Sequence, residues 1–254
     1  MQVAQRYADR WLPGHVNLAR LASLPVRVDE DFCREVADHF DRQPVFSWDA
    51  ELARCYKLFQ AETLRQFESI VHAGLRVEPW LGSGQPYRGS AELCAGVKAS
   101  GTLYVFLTRD GHGPDGSDGP ATHPMRGPSG VVRSGVEFSH NDVFRAVHDV
   151  FGHVISGHSM GPVGEFRATY GHLAMYSDDV HPVLFSEQIS QICWFFYGPH
   201  LRTASGRLPE RDEPGWVPPG ERPYAEQKVF TCPPEFVARF KACFGGPSLG
   251  EDPA

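Results

Sequence analysis

The chain has 254 residues, 41% apolar and 22% charged, with 24 Lys+Arg against 31 Asp+Glu for a formal charge of -7. That composition excludes a chain that is mainly disordered and supplies enough apolar residues for a large core. The acidic balance excludes a general nucleic-acid binder, which needs a basic surface to neutralise phosphates.

No run of the sequence approaches the roughly 18 to 20 apolar residues that cross a bilayer. The opening MQVAQRYADRWLPGH lacks the basic and apolar regions of a secretory signal, so a cytoplasmic chain with no membrane partner is expected. Cys33, Cys55, Cys94, Cys193, Cys232 and Cys243 show no CxxC spacing and read as reduced, mostly buried thiols.

After an irregular opening, residues 29 to 43 and 49 to 73 read as amphipathic helices. In the second, Leu52, Tyr56, Phe59, Phe67 and Ile70 recur on one face, and Gly74 marks its end. Residues 75 to 80 and 102 to 108 carry the β-branched and aromatic bias of short strands and flank a helix at 90 to 99. The Gly/Pro-rich stretch 110 to 135 lacks apolar periodicity and is expected to be a surface loop that serves as a lid. Helical patterning returns at 139 to 152, 163 to 178 and 182 to 197, then a Pro-rich loop at 205 to 223, a helix near 233 to 244 and a disordered tail at 245 to 254. The expected fold is mainly α with a small β-sheet (α+β), a single catalytic domain over 1 to 254 with long Gly/Pro-rich loops.

Chemistry concentrates where five of the twelve histidines fall, at His140, His148, His153, His158 and His172. Ser139 and Asp142 suggest a capping box opening a helix whose apolar face is Val143, Phe144, Val147, Val150 and Phe151. His148 lies on that face, so its imidazole points inward and requires a partner. Gly152 is expected to end the helix. On an unbroken α-helix His148 and His153 would stand about 140° apart, whereas a chain bend at the glycine brings both onto one ion. The bland alternative is a core histidine beside an unrelated one at a helix C-terminus.

The next helix carries Glu165, Thr169, His172 and Tyr176 as one polar stripe, which a solvated face would explain equally well. The helix HPVLFSEQISQICWFFYG is apolar nearly all round and therefore buried. Its Glu187, with Gln191 and Trp194 one and two turns on, is costly there unless it binds a metal or pairs with an arginine such as Arg145 or Arg167. Two neutral histidines and one carboxylate with open positions form the facial arrangement of non-haem Fe(II) oxygenases.

The run VHDVFGHV, followed by a glutamate in an aromatic-rich helix, resembles the iron site of the pterin-dependent aromatic amino acid hydroxylases. The resemblance spans residues 139 to 197 and implies His148, His153 and Glu187 as iron ligands. It departs from that family's pattern in the lead-in SHNDVFRA and at Ile155, where proline is usual, and no recognisable pterin-binding stretch precedes the site. The segments NDVFRAVHDVFGH and AEQKV are also similar to those of bacterial and phage-borne proteins of no assigned activity.

These readings converge on a mononuclear non-haem Fe(II), O2-dependent oxygenase for a small electron-rich aromatic or heteroaromatic metabolite, of the kind met in natural-product biosynthesis. Substrate rather than tetrahydropterin is expected to supply the electrons. Glu165, His172, Gln191 and Tyr176 are the candidate catalytic groups, and Phe144, Phe151, Trp194, Arg145 and Lys228 the candidate substrate contacts. The expected partners are substrate and O2, with a homodimer left open. Three alternatives stand beside this reading: a pterin-dependent hydroxylase, an HD-type hydrolase using His148 and Asp149 with His172 and Asp178 or Asp179, and a binding module whose histidines merely pack.

Overall fold

A computed structural model describes residues 1–12, 16–112 and 123–245. The first 22 residues are more regular than expected. Helix α1 (Gln2–Trp11) buries Ala4, Tyr7 and Ala8 at helical spacing, and α2 (Leu18–Ala22) is capped by Asn17, whose side chain accepts from the Arg20 N–H. Helix α3 (Glu30–Arg42) starts at Asp29, which accepts from the N–H groups of Asp31 and Phe32. Helix α4 (Ala50–His72) starts at Asp49, accepting from Leu52 N, and ends before Gly74, whose φ of +92° a side chain would resist.

Strands β1 (Arg76–Pro79) and β2 (Thr102–Val105) pair in parallel with Val77 opposite Leu103, joined through helix α5 (Ser90–Ser100). Helix α6 (Thr108–His112) follows. Residues 113–122, the middle of the expected lid, lie outside the described residues, as does 246–254 of the expected tail. Most of the rest of the expected lid is not loop. Strands β3 (Pro128–Arg133) and β4 (Val136–Ser139) form an antiparallel hairpin turned at Ser134 and Gly135, with φ of 47° and 77°. Hydrogen bonding between the two strands supplies the regularity that apolar periodicity did not reveal.

Helix α7 (His140–His148) runs without a break into a π-helical stretch, Asp149–Val154. Helix α8 (Pro162–Leu173) comes next. Helix α9 (His181–Leu184), a second π-helical stretch (Phe185–Ser190) and α10 (Gln191–Tyr197) then form one continuous rod, and α11 (Pro234–Ala242) is the last helix described. The fold is a mainly helical single domain with two small sheets. No helix among the described residues is long and apolar enough to cross a membrane. All six cysteines are free thiols, and Cys33, Cys55, Cys193 and Cys232 are buried.

Two large apolar clusters make most of the core, beside a small one of Phe40, Ala225 and Phe230. One gathers Phe32, Phe59, Phe166, Phe185 and Phe240, and the other gathers Tyr7, Phe67, Leu103, Phe138 and Val147. Helices α4 and α7 contribute to both: Phe59 and Phe144 belong to the first, Phe67 and Val143 to the second. His148 lies at the end of α7.

Candidate metal centre

The capping box at the start of α7 is present. Ser139 Oγ accepts from Asp142 N, and Asp142 Oδ2 accepts from Ser139 N. Asp142 Oδ1 also accepts from the backbone N–H and hydroxyl of Thr108, both at 2.7 Å, which fixes α7 to the chain beyond β2. Val143, Ala146 and Val147 then face the core, and Phe144 and His148 face a cavity of about 610 Å³.

Gly152 does not end the helix. It lies within the π-helical stretch, whose i→i+5 bonds widen the turn so that residues five apart stand above one another. His148 and His153 are five apart, and their Nε2 atoms are 3.1 Å from each other. Glycine is required for packing: a Cβ at 152 would lie 2.8 Å from Ala168 Cβ on α8 and 3.3 Å from His148 Cε1. Gly164 plays a similar part, because a Cβ there would lie 1.9 Å from the Ser159 carbonyl oxygen, and its tight seat holds the first turn of α8 with Glu165 against the site.

Glu165 is the carboxylate that meets both imidazoles. Its Oε2 lies 3.2 Å from His148 Nε2 and its Oε1 3.5 Å from His153 Nε2. Donors at right angles around an ion, each about 2.1 Å from it, would stand about 3 Å apart; the 3.1 Å between the two Nε2 atoms and the 3.2 Å from His148 Nε2 to Glu165 Oε2 match that spacing, while the 3.5 Å contact of His153 is to the other carboxylate oxygen, Oε1. Asp149 is also close, with one possible ligand atom each from His148, Asp149 and His153 within 4.8 Å of one another.

The outer partner of His153 favours ligation. His153 donates Nδ1–H to the His158 carbonyl at 2.9 Å, which leaves its Nε2 lone pair facing Glu165 and His148. His148 Nδ1 lies 2.7 Å from the Gln188 side-chain nitrogen, while Gln188 Oε1 is buried without a partner. The same nitrogen lies 3.0 Å from His148 Nε2, so the Gln188 amide rests against the ring between its two nitrogens rather than in line with either.

Charge is uneven within the site. Burial opposes the charge on His153, but Glu165 and Asp149 outweigh it and push the imidazole up to about 9. Burial would raise Glu165, yet its hydrogen bonds to His148 and His153 bring it down to about 2. Burial raises Asp149, against the pull of His148, His153 and Arg145. Without a metal, His153 and Glu165 are therefore an ion pair.

Glu187 is held elsewhere. Tyr56 Oη donates to its Oε1, and His123 Nε2 lies 3.5 Å from the same oxygen. Burial pushes this carboxyl up to about 7 despite the Tyr56 hydrogen bond. The π-helical stretch Phe185–Ser190 offsets the rod so that Gln188, not Glu187, touches His148. Neither arginine suggested as a partner for Glu187 forms an ion pair with it.

Of the other expected site residues, Phe144, Arg145 and Gln191 line the cavity. Arg145 donates to the Phe106 carbonyl and lies over the Phe106 ring. Gln191 Oε1 accepts from Gln227. His172 is buried behind Phe144, stacked on its ring with centroids 5.7 Å apart, and bonds Gln66; burial and His148 hold it well below the usual histidine range. Tyr176 is in the core against Thr63, and Phe151 packs in the second apolar cluster; neither lines the cavity.

Trp194 and Lys228 are also displaced from the expected contacts. Trp194 donates to Asp41 and stacks on His200 with centroids 4.0 Å apart, on the side of the rod facing α3. The Lys228 ammonium donates to the carbonyls of Phe40, Asp41 and Gln43, closing the C-terminus of α3. In both cases the partners come from α3, far away in sequence.

Tyr56, Gln188 and Arg222 went unnoticed as site residues. Tyr56 carried only the signal of a helix face, and Gln188 the hint of standing next to Glu187. Arg222 is the one basic residue between Pro219 and Tyr224 in the second Pro-rich loop; it lines the cavity over the rings of Phe195 and Phe196. No protein-family model, curated protein or solved structure is significantly similar to this chain.

Proposed function

We propose that the chain is a mononuclear non-haem Fe(II), O2-dependent oxygenase acting on a small electron-rich aromatic or heteroaromatic metabolite, with His148, His153 and Glu165 as the metal ligands. The observation that carries this reading is the cluster of two imidazoles and one carboxylate, with the Nε2 atoms 3.1 Å apart and one Glu165 oxygen on each imidazole at 3.2 and 3.5 Å, at the wall of a cavity that also has Phe106, Phe144, Phe195 and Phe196 in its lining. Iron bound there would supply the activation of dioxygen.

The chain's own groups do the rest. The His158 carbonyl and the Gln188 amide fix the two imidazoles. The phenylalanines hold a flat ring and exclude water, and Arg145 and Arg222 face the same cavity as guanidinium groups for a phenolate or another anionic substituent. A ring that is itself electron-rich needs no separate reductant to be cleaved or rearranged, which accords with the lack of a flavin, nicotinamide or pterin fingerprint. The HD-type alternative loses its further ligands: Asp178 is beside His181, Asp179 pairs with Arg54, and His172 bonds Gln66.

Oxygen uptake by the Fe(II)-loaded chain tests the reading, using a panel of catechols and hydroxylated heteroaromatics with and without tetrahydropterin. The expected outcome is uptake with iron and substrate alone, lost in His148→Ala and in Glu165→Ala. Uptake that follows added tetrahydropterin mole for mole would favour the pterin-dependent alternative. Turnover in the absence of O2 would replace the oxygenase by a hydrolase.

A further inference from the structure

Tyr56 is 1% exposed, and its hydroxyl donates to Glu187 on the cavity wall. The next residue, Gln188, rests on the ring of His148. On its other side Tyr56 touches Trp48, with ring centroids 5.7 Å apart, and Trp48 is 44% exposed and stacked on Phe46. An unbroken line of contacts thus joins the proposed ligand His148 to the solvent through the two side-chain types that give up single electrons most readily. A structural role alone would not call for a carboxylate here, because a carbonyl satisfies a buried phenol at lower desolvation cost.

We infer that Trp48, Tyr56 and Glu187 form a redox relay that carries single oxidising equivalents from the cavity to the protein surface, with Glu187 as the acceptor of the Tyr56 proton. When a hydroxyl radical arises in the cavity, it takes one electron from Tyr56 and becomes hydroxide. The phenol proton crosses the existing hydrogen bond to the Glu187 carboxylate and leaves a neutral tyrosyl radical. Trp48 returns an electron to Tyr56, Glu187 returns the proton, and the oxidised indole releases its N–H proton to water. A soluble one-electron reductant such as ascorbate then restores Trp48 by giving it one electron and one hydrogen ion. The use of the relay to protect the site rests on the oxygenase reading; the relay itself does not.

Pulse radiolysis of the full chain tests it without iron or substrate. Azide radicals oxidise exposed tryptophans; the oxidising equivalent then equilibrates between Trp48 and Tyr56 in a phase whose rate is independent of protein concentration, and the outward step is read as discharge of the tyrosyl band by added ascorbate, although Tyr56 itself is buried. That first-order phase is expected to vanish in Trp48→Phe and in Tyr56→Phe, to persist in Trp11→Phe, and to slow by about a hundredfold in Glu187→Gln, which keeps a hydrogen-bond acceptor but takes no proton. Circular dichroism confirms that each variant is folded. A phase that survives Tyr56→Phe, or that runs at the wild-type rate in Glu187→Gln, overturns the assignment. Failure of the relay leaves the ligand cluster intact, and failure to bind iron leaves the relay intact.

Discussion

Glu165 Oε2 lies 3.2 Å from His148 Nε2, although the two residues belong to different helices joined by a glycine-containing connection. The contact depends on the close approach of α8 to the π-helical stretch at Gly152. It makes Glu165 and Glu187 separable by experiment. Glu165→Ala is expected to weaken binding of Fe(II), or of Co(II) as a spectroscopic substitute, by at least about a hundredfold, whereas Glu187→Gln retains one ion per chain. Metal analysis after gel filtration distinguishes them, and the opposite pattern would restore Glu187 as the ligand.

The ion pair inside the cluster gives the metal-free chain a pH signature. His153, raised to about 9 in the fold, stabilises it in full below its unfolded value near 6.5 and loses that contribution as pH rises through about 9. Glu165, lowered to about 2, contributes above its unfolded value near 4.5 and loses it as pH falls through about 2. Urea denaturation of chelator-treated protein is expected to show falling stability between about pH 6 and pH 10, with a flatter profile in Glu165→Gln. Parallel profiles would mean that the pair does not form.

Gly152→Ala sets a methyl group 2.8 Å from Ala168 Cβ and 3.3 Å from a carbon of the His148 ring. Helix α8 must shift to accept it, at a cost of about 1 to 3 kcal/mol in stability. Because α8 carries Glu165, metal affinity is expected to fall with it. Gly171→Ala, on the same helix with nothing within 4 Å of its added Cβ, serves as the control in both measurements.

Lys228→Met tests the structural role given to this buried lysine. Removing the ammonium strands the carbonyls of Phe40, Asp41 and Gln43, an expected loss of about 1 to 3 kcal/mol by chemical denaturation. Metal stoichiometry should not change. A variant that is fully stable but impaired in substrate binding would return Lys228 to the cavity.

Periodicity was a sound guide wherever a residue's role follows from the helix it belongs to. The apolar face of α4, the cap at Ser139 and the approach of His148 to His153 were all legible, and so was the mainly helical class. Glu165 and Glu187 were harder to rank, since each is an acid on an amphipathic or buried helix and a π-helical stretch leaves no mark in apolar spacing. Tyr56, 131 positions before Glu187, captures that carboxylate through a tertiary contact that no local pattern encodes. Lys228 and Trp194 went astray for a related reason: a cation and an indole look like ligand contacts until α3 supplies their acceptors.

The π-helical stretch at Phe185–Ser190 also sets the phase of everything after it. Deleting one residue there would remove the widened turn and leave the following side chains in place, but relaxing it to an ordinary α-helix with every residue kept would turn them by about 100°. Gln191, Ile192 and Phe195 would rotate off the cavity wall with their chemistry unchanged. Which of these side chains face the cavity is therefore decided by a single extra position in the rod, as much as by the residue types that occupy it.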